Sequence, residues 1–405
     1  MSSDRFSQPV SRGLFFRLLA LVLGAVLALG VIVVMQEPLL HERANVEVNV
    51  LSLDRRNAVS PVVWPSEGSA AILIPSRGIT RSWHDHVVPI ASLTKMMTAY
   101  VVLHKLPLVS GSSGPCVTIS NSDVEQYDLM KESDQSSVLV SSGESLCEFD
   151  LLSGMLVHSA SNYAVLLADM VAGNVTQFVA LMNETAASLG LRDTHYADVS
   201  GFSNDSVSNA LDQGRLAVLL MKSPLVRGIV DQSRVTLPVA GTVGSFTPYV
   251  GSDNVIGVKS GRTAQAGGCD VMAMTFMDGS RSATAFAVVL GQQGGDQLGP
   301  AGDAALALAT SATTQVSVTL KKGTVVGSIH WARHGSAVVL GESAHFSWWA
   351  AKGSWRAKVH IGTITRALHA GQVVGYVSFD TTSRRRISLV VTRSVAPPSL
   401  WQRLT

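Results

Sequence analysis

Charge is scarce in this chain of 405 residues: 15% are Asp, Glu, Lys or Arg, and the net charge is +2. No long basic block occurs, so no nucleic-acid partner is expected. Cysteine is scarcer still. Cys116, Cys147 and Cys269 include no C-x-x-C pair, the spacing a structural zinc site or a dithiol redox centre would need. His84-x-His86 has the spacing of strand-borne metal ligands, but it sits in a polar turn with no third ligand in view. No metal and no organic cofactor is expected. Long apolar runs are also few: one occurs, near the N-terminus, and no second follows, which predicts that everything after it stays on one side of a membrane.

That run is Leu14 to Met35, broken only by Arg17. Residues Leu18 to Met35 give 18 consecutive uncharged positions, near the length a helix needs to cross the hydrocarbon core. Arg5 and Arg12 precede it, so the N-terminus is expected in the cytoplasm and the body outside. No small-x-small cleavage site follows Met35, which favours an uncleaved anchor over a signal peptide. The expected organisation is a cytoplasmic tail (1–13), a transmembrane anchor (14–35), a stalk (36–63) with Pro38 and Pro61, a main domain (64–310), and a β-rich domain (311–405). Export would allow Cys116 and Cys147, each in a short β-like run, to bridge.

Within the main domain, Ala70 to Ile74 reads as a buried strand. Leu151 to Val171 reads as helix interrupted by His158-Ser159-Ala160-Ser161-Asn162, and Phe178 to Leu189 and Leu211 to Met221 read as helices. Val255 to Gly261 reads as a strand. Asp278-Gly279 marks a hairpin between Cys269–Met277 and Ala283–Leu290, and Leu298 to Ala309 is an Ala/Leu-rich helix. Helices in the middle with strands at both ends predict an α+β domain whose antiparallel sheet joins its first strand to its last three. Beyond Ser311, short strand-like runs from Val316–Leu320 to Ile387–Val391 predict a small all-β module.

Pro89 suits the entry to a helix beginning near Ala91 or Ser92, and positions i and i+3 share a helix face. Ser92 and Lys95 can therefore meet. A serine hydroxyl needs a base to become a nucleophile, and a desolvated lysine amine can serve. The dipole and free N–H groups of a helix start suit an oxyanion. On this stretch alone a chance pair on a helix remains open.

Ser92-x-x-Lys95, Ser159-x-Ser161 and Lys259-Ser260-Gly261 follow in order, 67 residues apart (159 minus 92) and then 100 (259 minus 159). Together they resemble the S-x-x-K, S-x-N and K-T/S-G motifs of the penicillin-recognising serine enzymes, and are most similar to serine D-Ala-D-Ala carboxypeptidases of actinobacterial type. The resemblance covers roughly residues 64 to 310. It implies the penicillin-binding/β-lactamase-like transpeptidase fold, peptidoglycan stem peptides and β-lactams as partners, and an enzyme at the cell membrane with its catalytic domain extracellular. It also implies roles: Ser92 as nucleophile, Lys95 as base, Ser159 as proton relay to the leaving D-alanine, Lys259 and Ser260 as the clamp on the terminal carboxylate. Gly261 would let the peptide lie along the strand edge, and the N–H groups of Ser92 and Arg262 would form the oxyanion hole. Ser161 departs from the pattern, which has asparagine there; Asn162 comes one place later. Two rivals share the motifs: a β-lactamase, and a non-enzymatic wall-binding scaffold on the same fold.

Overall fold

The computed structural model describes residues 12–36, 43–48, 62–109, 111–331, 334–349, 357–379 and 386–397. Most of the expected tail, most of the expected stalk and residues 398–405 lie outside them. The chain falls into two compact units, whose boundary in the main run is at Ser317.

Helix α1 (Arg12–Gln36) and strand β1 (Asn45–Val48) come first. Among the described residues no single helix is long and apolar enough to cross a membrane; the apolar stretch is Phe16–Leu29. Next are β2 (Ser69–Ile74), β3 (Ile79–Trp83), β4 (Val88–Pro89) and α2 (Thr94–Lys105), the last entered through a 3-10 turn at Ala91–Leu93. The helical middle follows: β5 (Cys116–Thr118), α3 (Asn121–Glu132), β6 (Ser145–Cys147), α4 (Glu148–Val157), α5 (Ser161–Ala172), α6 (Val175–Ser188), β7 (Val207–Ser208), α7 (Ala210–Leu220) and α8 (Pro224–Val230). The hairpin β8 (Arg234–Leu237) and β9 (Gly241–Gly244) precedes the three long strands β10 (Val255–Thr263), β11 (Gly267–Asp278) and β12 (Arg281–Gln292), then α9 (Leu298–Ala312).

The antiparallel sheet runs β10-β11-β12-β2-β3, so the first strands of this unit do join its last three. Strands β2, β11 and β12 carry buried apolar runs on both faces because both are covered. Val271, Ala273, Phe286, Val288 and Leu73 point into the core shared with the helical middle. Their alternates Met272, Met274, Ala287, Val289 and Ile72 meet Leu308 and Ala309 of α9. Helix α2 lies inside the helical layer with Thr94 to Ala99 all buried, the polar Thr94, Lys95 and Thr98 among them.

The second unit holds β14 (Val325–Trp331), β15 (His334–Leu340), β17 (Ala357–Ile361), β18 (Val373–Phe379) and β19 (Arg386–Val391); in sequence β13 (Gln315–Leu320) precedes these and β16 (Ala344–Trp349) falls between β15 and β17. Its six-stranded sheet has the order β1-β14-β15-β19-β18-β17. Residues 45–48, read as stalk from sequence, thus pair with β14, Asn45 opposite His330.

Cys116 and Cys147 stand opposite each other across β5 and β6 and are joined by a disulfide. The β-like run at Cys147 ends with that residue, because Glu148 already begins α4. Helix α3 was not expected from the sequence: it is polar, with only Tyr127 buried, and is fixed at its start by a reciprocal capping box between Ser120 and Asp123.

Candidate active site

The turn at Ala91–Leu93 sets the centre of the site. Ala91 has φ +47°, an uncommon conformation for alanine, and Gly201 lies so close that a Cβ there would fall 1.7 Å from the Ala91 carbonyl oxygen. The chain is thereby bent so that Ser92, half-buried, faces open space while Lys95, one turn on, is buried. The two side chains meet as their spacing predicts: Lys95 Nζ lies 2.9 Å from Ser92 Oγ, and it donates to the Ser200 carbonyl at 2.8 Å. Burial, and then the nearby charge of Lys259, push the Lys95 ammonium well below the usual lysine range; Asp198 opposes them. A neutral amine in this position accepts the hydroxyl proton of Ser92 while still donating to Ser200.

Ser200 falls within the stretch that resembles the family, but the sequence assigns it no role, because it acts through its carbonyl. Its turn is held by Asp198, whose carboxylate accepts from the N–H groups of Gly201 at 3.0 Å and Phe202 at 2.8 Å and from the Ser200 hydroxyl at 3.0 Å.

Strand β10 is the opposite wall. It approaches Ser92 so closely at Gly261 that a Cβ would lie 2.5 Å from the Ser92 nitrogen. Lys259 and Ser260 precede it, both buried. Lys259 Nζ donates to the Ser260 carbonyl at 2.6 Å, and the Ser260 hydroxyl donates to the Phe246 carbonyl at 2.8 Å. Burial brings the Lys259 ammonium down to about 7, with Asp270 opposing. Asp270, opposite Ser260 in the ladder, is fully buried, and its carboxyl has no hydrogen-bond partner among the described residues. Burial pushes it well above the usual carboxylate range, with Lys259 pulling the other way.

The third wall is the break between α4 and α5. Ser159 sits there at φ +64°, buried, its hydroxyl without a partner among the described residues. Ser161 lines the cleft and its N–H donates to the Ser136 carbonyl at 2.7 Å. Asn162 points elsewhere. Its carboxamide is buried against Val138, accepting from the Val138 N–H at 3.0 Å and donating to the Val138 carbonyl at 2.8 Å. The residue whose type would have matched the motif is thus a structural clamp, and Ser161 occupies the cleft position.

These walls leave two openings that share Ser92, Ser136 and Arg262. One, of about 590 Å³, is lined by polar side chains such as Gln135, Asn204 and Gln265. The other, of about 260 Å³, holds Ser159, Ser260 and Gly261. All eight residues singled out from sequence therefore surround one place, with Lys95 and Lys259 beneath its surface. His84 and His86 belong to no cluster of three or more ligands among the described residues.

The family described as D-alanyl-D-alanine carboxypeptidase matches residues 75–294. A D-alanyl-D-alanine endopeptidase of Pseudomonas aeruginosa is 36% identical over 145 residues, 35% of this chain and 43% of that protein. The D-alanyl-D-alanine carboxypeptidase DacD of Escherichia coli is 32% identical over 190 residues, 44% of this chain and 46% of that one. The chain thus spans less than half the length of these curated relatives. Among solved structures, penicillin binding protein 5 of Haemophilus influenzae superposes with a TM-score of 0.55 at 22% identity, covering 82% of this chain and 99% of that one. The Streptomyces K15 DD-transpeptidase gives 0.53 at 24%, covering 61% and 97%. The fold is that of the penicillin-binding proteins, and with more than half of its length matched the chain belongs to the D-alanyl-D-alanine carboxypeptidase family.

Proposed function

We propose that this protein is a serine-type D-Ala-D-Ala carboxypeptidase that removes the terminal D-alanine from peptidoglycan stem peptides and is acylated by β-lactams at the same serine. The observation that carries the reading is the contact of 2.9 Å between Ser92 Oγ and the buried amine of Lys95 at the junction of two openings. Neutral Lys95 takes the Ser92 proton as Oγ attacks the penultimate carbonyl. The backbone N–H groups of Ser92 and Arg262 receive the oxyanion; one such donor is worth about 3 kcal/mol in the transition state. Collapse breaks the peptide bond, and the proton reaches the departing amine by way of Ser159. Lys259, charged, and the Ser260 hydroxyl hold the terminal carboxylate, which requires that hydroxyl to turn from the Phe246 carbonyl. Water then releases the acyl group. No step calls for a metal or organic cofactor.

Placement at the cell membrane belongs to the same proposal, with α1 as single-pass anchor and the catalytic unit outside. It is supported by the apolar side chains that α1 exposes, among them Phe16, Leu21 and Leu27, by the arginines before them, and by a disulfide, which persists in oxidising compartments.

The test is D-alanine released from a pentapeptide, wild type beside Ser92→Ala, with fluorescent penicillin labelling in parallel. Ser92-dependent release and label are expected. Absence of both in the wild type refutes the reading, and rapid penicillin turnover without peptide hydrolysis would transfer the protein to the β-lactamases.

A further inference from the structure

The smaller opening has a feature that the chemistry above leaves unused. Ser92, Ser159, Ser260, Arg262 and Asp296 make it polar, while Phe246 and Leu298 are the two large apolar residues that line it. Phe246 keeps 39% of its surface exposed, so its ring is apolar surface not spent on the core. It is nonetheless fixed. Its N–H donates to the Val157 carbonyl at 3.1 Å, its own carbonyl accepts from Ser260, and its ring stacks on His158 with centroids 4.4 Å apart. Leu298 is held as the first residue of α9.

The carboxylate clamp lies in this opening, so the terminal residue of the peptide belongs here and the rest of the stem in the larger one. With the scissile carbonyl at Ser92 and the carboxylate at Ser260, the third substituent on the terminal Cα has one direction for each hand. We infer that Phe246 and Leu298 form the wall that reads this substituent, selecting a small apolar side chain of one hand over none and over a bulky one. The inference rests on the carboxypeptidase reading and adds its specificity determinant.

A single methyl or methylene in an apolar site is worth about tenfold or more in discrimination. The experiment compares kcat/KM for two peptides that differ only in ending with D-Ala or with Gly, for wild type, Phe246→Ala, Leu298→Ala and Phe246→Leu. The wild type is expected to prefer D-Ala by about tenfold. In the two alanine variants the D-Ala rate falls more than the Gly rate, so that their ratio drops toward one, and a peptide ending in D-Leu becomes a better substrate. Phe246→Leu retains the preference. An unchanged D-Ala to Gly ratio in both alanine variants, or a parallel loss of both rates, overturns the inference; if Phe246→Ala does not fold, Leu298→Ala decides.

Dissociation constants for the same two peptides, measured on Ser92→Ala with and without the wall substitutions, separate the two claims. Methyl-dependent binding without turnover in the wild type defeats the carboxypeptidase reading and leaves the wall. Turnover blind to the methyl defeats the wall and leaves the reading.

Discussion

Replacing Gly261 with alanine adds one methyl group where the nucleophile and the clamp strand come closest. The new Cβ would stand 2.5 Å from the Ser92 nitrogen, 2.9 Å from its Cβ and 3.0 Å from its Cα. All three belong to Ser92, none to the far end of a flexible side chain, so the strain cannot be relieved by a rotamer change. Ordinary contact begins at 3.4 Å, so β10 and the Ser92 turn must part by about 0.9 Å (3.4 minus 2.5). That displacement separates the two proposed oxyanion donors and moves Ser260 away from Ser92. A misplacement of about 1 Å between reacting groups can cost about 100-fold in rate. The second-order rate constant for acylation by a fluorescent penicillin should therefore fall by roughly that factor, while circular dichroism and a cooperative melt report an intact fold. An acylation rate within twofold of wild type would refute the claim that this approach sets the site.

Four further outcomes are expected. Asn162→Ala strands the N–H and carbonyl of Val138, both now paired with the carboxamide, and urea unfolding should show a loss of about 2–4 kcal/mol from two unsatisfied buried groups. Ser161→Asn should speed release of the acyl group, read as the decay of the penicillin-labelled enzyme; an unchanged decay rate would mean that serine serves there as well as a carboxamide. The pH profile of kcat/KM should rise as Lys95 loses its proton, at a pH well below the usual lysine range, and decline as Lys259 loses its own near 7 in the free enzyme; Lys259→Arg should carry the declining limb to higher pH. Glu148 is buried, neither carboxylate oxygen has a hydrogen-bond partner among the described residues, and burial brings its carboxyl up to about 7. Its folded-state pKa is raised above the unfolded one, so its contribution is complete at acid pH and is lost as pH rises through about 7. Glu148→Gln should accordingly raise stability at pH 8 by on the order of 1–2 kcal/mol and change it little at pH 4, which thermal melts at the two pH values will show.

What the sequence made legible follows from how locally each feature is encoded. Ser92 and Lys95 are neighbours on a helix, so their meeting needs only the i,i+3 rule, and the hairpin at Asp278-Gly279 is written in its turn. Strands β2, β11 and β12 carry continuous apolar runs because both faces are covered. Helix α3 buries too little to leave a pattern, and its one sign was the Ser120-x-x-Asp123 cap. The assignment of Asn162 to Val138 rather than to the cleft depends on a loop 24 residues earlier, beyond any local rule. The role of Ser200 was hidden for a different reason: a backbone acceptor can be supplied by any residue.

Strand β1 has a consequence for how this chain is made and handled. Asn45 and its partner His330 are 285 residues apart (330 minus 45). During synthesis β1 emerges early and must wait, unpaired, until the whole main domain and then β14 have been translated, a long-range closure of the kind that slows folding. A truncated version begun after residue 48, the natural choice for isolating the enzyme, would leave the edge of β14 bare. Open edges of that kind template aggregation, so a soluble form trimmed between α1 and β1 should behave better than one trimmed just beyond β1.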